Sequence, residues 1–111
     1  MAFDEELAER VRALLDAEPD LREQRMFGGL AFLVGGNMAV AASGEGGLLV
    51  RVDPDEGDAL LASTVAEPMV MRGRAMTGWL RVGGEHVDGE AALAEWVTRG
   101  VAYARTLPPK G

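Results

Sequence analysis

His86 is the only histidine in a chain of 111 residues that has no cysteine. A single imidazole needs partners before it can hold a metal, and Glu85 and Asp88 stand beside it at no recognised ligand spacing. The hydroxyl nucleophiles on offer are Ser43, Ser63, Thr64, Thr77, Thr98 and Thr106. None lies in a Gly-x-Ser-x-Gly elbow, and nothing local would activate one of them for a Ser-His-acid triad. Asp53, Asp55, Glu56 and Asp58 form the densest acidic cluster. Such a group could bind a divalent cation or transfer protons, but no calcium-loop pattern accompanies it, and acids also collect at helix starts because the peptide dipole favours them. Four glycine pairs, Gly28-Gly29, Gly35-Gly36, Gly46-Gly47 and Gly83-Gly84, could cradle an anion, yet neither a dinucleotide fingerprint nor a P-loop is present. The sequence therefore nominates no catalytic residue, no cofactor and no metal.

Arginines offer the clearest surface signal. Arg72, Arg74 and Arg81 surround the late strand region, and converging guanidinium groups there would make an anion-binding or partner-docking patch. If the segment is a strand, Arg72 and Arg74 share a side. Met69, Met71 and Met76 could line an adaptable apolar groove nearby. The net charge is −7, from 18 acids and 11 basic residues, of which Lys110 is the sole lysine. An acidic surface repels phosphate backbones at long range, so nucleic acid is not expected as a direct partner. No disulfide can form, which fits a reducing compartment. The start of the chain carries no basic leader and no apolar run of signal length, and no stretch reaches the length of a membrane span. A cytoplasmic location follows as the expectation.

Elements must hold these side chains in place. Leu7, Val11, Leu14 and Leu15 recur at helical spacing, which predicts a helix over residues 4 to 17 capped by Asp4 and ended near Pro19. Residues 22 to 27 read as an edge-like strand. Leu30 to Val34 and Met38 to Ala42 read as two strands joined at Gly35-Gly36-Asn37, and Leu48 to Val52 as a further one. On that reading Leu30, Phe32 and Val34 face one way, as do Met38, Val40 and Ala42, and at least one set packs on the first helix. Asp53-Pro54 starts a middle helix, with the acid as cap and the proline in the first helical position. Residues 63 to 73 resist assignment. Ala75 to Val82 reads as a strand, and Asp88 as the cap of a last helix whose apolar face is Leu93, Trp96, Val97, Gly100, Val101 and Ala104. The expected fold is α+β, a single domain over residues 1 to 111 with a flexible tail at 107 to 111. An antiparallel sheet carries helices on one face in the order helix, strands, helix, strand, helix.

Arg25-Met26-Phe27-Gly28-Gly29, followed by Phe32 and then Gly35, is the most distinctive stretch. With Leu48-Leu49-Val50-Arg51-Val52-Asp53, Met76-Thr77-Gly78-Trp79, and Leu93 and Trp96, it resembles the TfoX N-terminal domain family, also called the Sxy regulator family, over nearly the whole chain. The Gly-Gly-aromatic-Gly continuation frequent in that family reads Gly28-Gly29-Leu30-Ala31 here. The resemblance implies a bacterial, secretion-chaperone-like α/β domain that forms homodimers. It also implies a regulatory role linked to competence genes, with no catalytic set. A second, helical domain that full-length members carry is not expected within a chain ending at Gly111.

The expected function is that of a small non-enzymatic regulatory or protein-interaction domain. Two other classes stay open: a small-molecule-binding protein or unrecognised enzyme, which needs a pocket with convergent polar groups, and a nucleic-acid-binding accessory protein, which needs a continuous arginine stripe with stacking residues. An open strand edge gives a reason for self-association. A two-fold homodimer using the sheet or a neighbouring strand edge, near Met26 and Phe27, is the expected assembly, with an unidentified protein as further partner.

Overall fold

The computed structural model describes residues 4 to 26 and 28 to 109, with Met71 described by its backbone alone. Asp4 accepts a hydrogen bond from the Leu7 amide at 3.1 Å and starts helix α1, Glu5–Leu14. Strands β1 (Leu21–Met26), β2 (Gly29–Val34), β3 (Asn37–Ala42) and β4 (Leu48–Arg51) then form an antiparallel meander. Asp53 and Pro54 act as expected: the Asp53 carboxylate accepts from the Asp55 amide at 2.9 Å, and helix α2 runs Pro54–Ser63. A hairpin, β5 (Glu67–Met71) and β6 (Arg74–Val82), follows. A 3-10 turn at Gly84–His86 leads to helix α3, Glu90–Thr106.

The six strands order as β1-β2-β3-β4-β6-β5, all neighbours antiparallel. The last hairpin thus returns to the meander through β6 and leaves β5 at the outer edge. All three helices serve one face. Leu7 and Val11 of α1, Leu93, Trp96 and Val97 of α3, and half-buried Leu60 and Leu61 of α2 join Phe32, Val40, Val50 and Leu80 in one core. The apolar face read for the last helix is the buried face of α3, residue for residue. A second, smaller cluster on the other side of the sheet comprises Ala31, Met38, Ala41, Leu49 and Met69, screened by half-buried Met26, Leu33 and Trp79. Among the described residues no helix contributes to it.

Several expectations need correction. The first helix stops at Leu14 rather than 17, and Leu14 is exposed while Ala8 is buried in its place. The amide of Leu15 is shared between the Val11 and Arg12 carbonyls, so the helix tightens and ends there. Asn37 is the first residue of β3, not part of the turn; its buried amide donates to the Pro108 carbonyl at 3.0 Å. Met38, Val40 and Ala42 do not share a face. The β2–β3 register shifts between Phe32 and Leu33, pairing Phe32 with Val40 and Leu33 with Met38, so Ala39 is the extra residue of a bulge. Val40 and Ala42 stay with the helices, and Met38 turns to the second cluster. Asp88 does not cap α3; Gly89 holds that position without a side-chain bond, and the Asp88 carbonyl instead accepts from Arg10 at 2.9 Å.

Two glycines explain how the layers approach. Gly100 of α3 lies against the bulge, where a Cβ would come within 2.5 Å of the Ala39 carbonyl oxygen and 2.8 Å of Val40 Cγ1. A helix can lie that close to a strand only where the side chain is a hydrogen. Gly29 pairs with Met26 as β2 begins, and a Cβ there would overlap the Ala42 carbonyl oxygen. Its neighbour Gly28 has φ +76°, a left-handed conformation that costs glycine little. The glycine pair of the distinctive stretch is thus spoken for by backbone geometry.

Candidate interaction site

The groups that could have made a catalytic centre are dispersed. Buried Ser43 accepts from Arg81 at 3.2 Å and from the Glu45 amide at 3.1 Å, which makes its hydroxyl a turn brace. His86 is exposed beside Glu85, 3.7 Å away. Asp53 caps α2, Asp55 and Glu56 lie in its first turn, where the dipole stabilises them, and Asp58 follows in the second turn. Among the described residues no three histidine, cysteine or acidic side chains converge in a way that could hold a metal.

The remaining motif residues separate into two groups. Arg25 and Met26 end β1 at the sheet edge, and Gly28, Gly29 and Gly35 shape turns and close contacts; Phe27 lies outside the described residues. Arg51 and Trp79 face each other across β4 and β6. The Arg51 guanidinium lies 5.4 Å from the centre of the Trp79 ring and 5.8 Å from that of Tyr103 on α3, so one cation joins the sheet to a helix through two aromatic faces.

Tyr103 also lines a groove of about 720 Å³ between the start of α2 and the outer face of α3. Its floor is small, with Ala91, Ala94 and Ala102, and its rim is acidic, with Asp53, Glu56 and Glu95 against one cation, Arg99. Arg99 is 3.6 Å from Glu95 and stacks 4.8 Å from the centre of Trp96. Its Nη1 is buried without a hydrogen-bond acceptor. No single residue type in the sequence marks this groove. The signal is a second stripe on the last helix, in which Ala91, Ala94, Glu95, Thr98 and Ala102 recur three and four apart, opposite the apolar face.

The three late arginines do not form one patch. Arg81 is held in the sheet by Ser43 and the Glu45 carbonyl. Arg72 is a turn residue rather than a strand residue, and with Arg74 it stands at the far end of the β5–β6 hairpin. β4 pairs with β6 from Trp79 to Val82 and the Val52 amide reaches the Gly78 carbonyl, so beyond Gly78 the strand continues with β5 alone among the described residues. The β5–β6 register shifts between Pro68 and Val70, so residues 76 to 79 stand against Met69 alone, around Gly78 at φ +85°, before the ladder resumes at Val70–Ala75 and Met71–Arg74. Residues 72 to 77 are all exposed, Val70 is 62% exposed and Met76 37%. No ion pair or hydrogen bond ties the Arg72 or Arg74 side chain to another described residue. Arg72 and Gly73 have φ +55° and +79°, the pattern of a tight hairpin turn that asparagine or glycine usually fills.

The six strands, helix α2, the glycine-shaped start of β2 and the Arg51–Trp79 pair all lie inside one family match: the model of the TfoX N-terminal domain covers residues 13–104. The chain belongs to the TfoX N-terminal domain family. No curated protein matches it. Its family match supports a regulatory or protein-interaction domain, and the hydroxyl, imidazole and carboxylate groups of this TfoX N-terminal domain lie dispersed among the described residues. No helix among the described residues is long and apolar enough to cross a membrane. On the surface, Glu23 of β1 and Arg12 of α1 make a two-pronged pair at 2.6 and 2.7 Å. The hydrogen bond from Arg12 holds the Glu23 carboxyl below the usual carboxylate range.

Proposed function

We propose that this TfoX N-terminal domain is a non-enzymatic regulatory module that works in the cytoplasm as a two-fold homodimer and docks a protein partner through the paired surface. Its family membership supports a role in regulating competence or other transcription. The observation that carries the reading is the β5–β6 ribbon, which places exposed Val70 and Met76 beside two arginines that pair with no other described residue. Exposed apolar side chains on a projecting element mark an interaction surface. An isolated two-stranded ribbon is only marginally stable in water, so a partner that covers it also orders it. Sedimentation across a concentration series tests the assembly: a two-chain species is expected at micromolar concentration, and a single monomeric mass throughout that range overturns it.

A further inference from the structure

The ribbon and the groove have opposite characters. Residues 69 to 78 carry two arginines and no acid, on a chain whose net charge is −7. The groove presents three carboxylates around an alanine floor and has room for several side chains, at about 720 Å³. They are also neighbours. The root of the ribbon is tied to the edge of the groove, where the Val52 amide donates to the Gly78 carbonyl at 2.8 Å and Gly78 abuts Pro54. Past that root the ribbon is paired by β5 alone and its residues 72 to 77 are exposed, so it is open to a second chain. A two-fold axis passing near Gly78 and Val52 would bring each ribbon over the groove of the other chain, and the contact would occur twice.

Resting on the homodimer reading above, we propose that the β5–β6 ribbon of one chain seats in the α2–α3 groove of a second copy. Arg72 and Arg74 meet Glu56, Glu95 and Asp53, and Val70 and Met76 cover the alanines. A left-handed arginine at the turn fits this role. A non-glycine residue in that conformation is strained. Arginine at such a position puts a forked cation at the foremost point of the ribbon, where it meets carboxylates with two parallel hydrogen bonds. The acidic charge of the body disfavours a polyphosphate as the occupant and favours the chain's own acidic rim.

Charge reversal on the full chain tests the pairing. One variant carries Arg72→Glu and Arg74→Glu. The other carries Glu56→Lys and Glu95→Lys, leaving the Asp53 cap in place. Each alone is expected to weaken self-association at least about tenfold, since both contacts of its dimer become repulsive. Mixed in equal amounts they are expected to recover a two-chain species holding one of each, because both contacts of the mixed dimer are complementary again. Native mass spectrometry reads the composition, and circular dichroism establishes that each variant is folded. A third variant, Val70→Ser with Met76→Ser, leaves the charges alone and is expected to weaken the dimer too. Four results overturn the inference. A wild-type chain that stays monomeric removes the homodimer itself. A wild-type dimer with reversal variants that dimerise normally, or a mixture that stays monomeric, removes only the ribbon-in-groove contact. Loss of duplex DNA binding in the ribbon variant, with self-association unchanged, reassigns the ribbon to nucleic acid.

Discussion

The central strands and the β5–β6 ribbon belong to one sheet and live under opposite conditions. In β3 every residue is buried, with Val40 under the helices and Met38 and Ala41 in the second cluster. In the outer half of β6 four successive residues are exposed, and among the described residues their strand partner is β5 alone. Both regions are antiparallel ladders interrupted by one register shift, so backbone pairing does not distinguish them. Side-chain burial does, and it divides the labour: the centre supplies folding free energy, whereas the ribbon contributes little to it and is free to present surface.

Core deletion gives the largest expected contrast. Phe32→Ala removes a fully buried ring from beneath the helices and is expected to cost about 3 to 5 kcal/mol. Met76→Ala on the ribbon is expected to change monomer stability by no more than about 0.5 kcal/mol. Denaturant titration of both variants measures the difference. A comparable loss at Met76 would show that the ribbon is part of the folding core and would collapse the distinction.

A smaller effect probes how the helices reach the centre. Gly100→Val places atoms where the Ala39 carbonyl and Val40 already lie, so α3 must move off the bulge. A loss of roughly 1 to 3 kcal/mol is expected from overpacking. Thermal unfolding with full sheet signal retained below the transition is the check; an unchanged midpoint would mean that α3 can shift without cost.

The smallest effect lies at the β1 edge. Glu23→Gln removes one side of the pair with Arg12, and about 0.5 to 1 kcal/mol is expected at neutral pH for a pair of this exposure. The folded-state pKa of Glu23 is depressed, so its contribution is present above the unfolded carboxyl pKa and is lost as pH falls through the lower, folded value. Wild type and variant should therefore differ at pH 7 and converge in strong acid. Urea titrations at both pH values decide; a gap that persists in acid would assign the effect to packing of the side chain.

The second hairpin was the least legible element. Glu67–Met71 contains Pro68, and its turn is Arg72-Gly73 rather than the Asn-Gly or Asp-Gly that usually announces a tight hairpin. Met69, Val70 and Met71 form an unbroken apolar run with no alternation to assign a face. The interaction site was harder still. Arg72, Arg74 and Arg81 look like one cluster in the chain, yet the strand geometry keeps Arg81 in the sheet and sends the other two to the tip.

Local pattern alone determined which segments are helix and which are strand across most of the chain. The spacing of Leu7 and Val11 and of Leu93, Trp96, Val97 and Ala104 decides which helical face must leave water, and glycine pairs decide where strands can turn. The TfoX family pattern was visible for the same reason, being written in neighbouring residues. Only the tertiary structure decided that β6 rather than β5 lies beside β4, that Ala39 bulges and turns Met38 to the other face, and that α2 and α3 enclose an acidic groove. Those outcomes depend on the register and close packing of segments far apart in the chain, and no local periodicity carries that information.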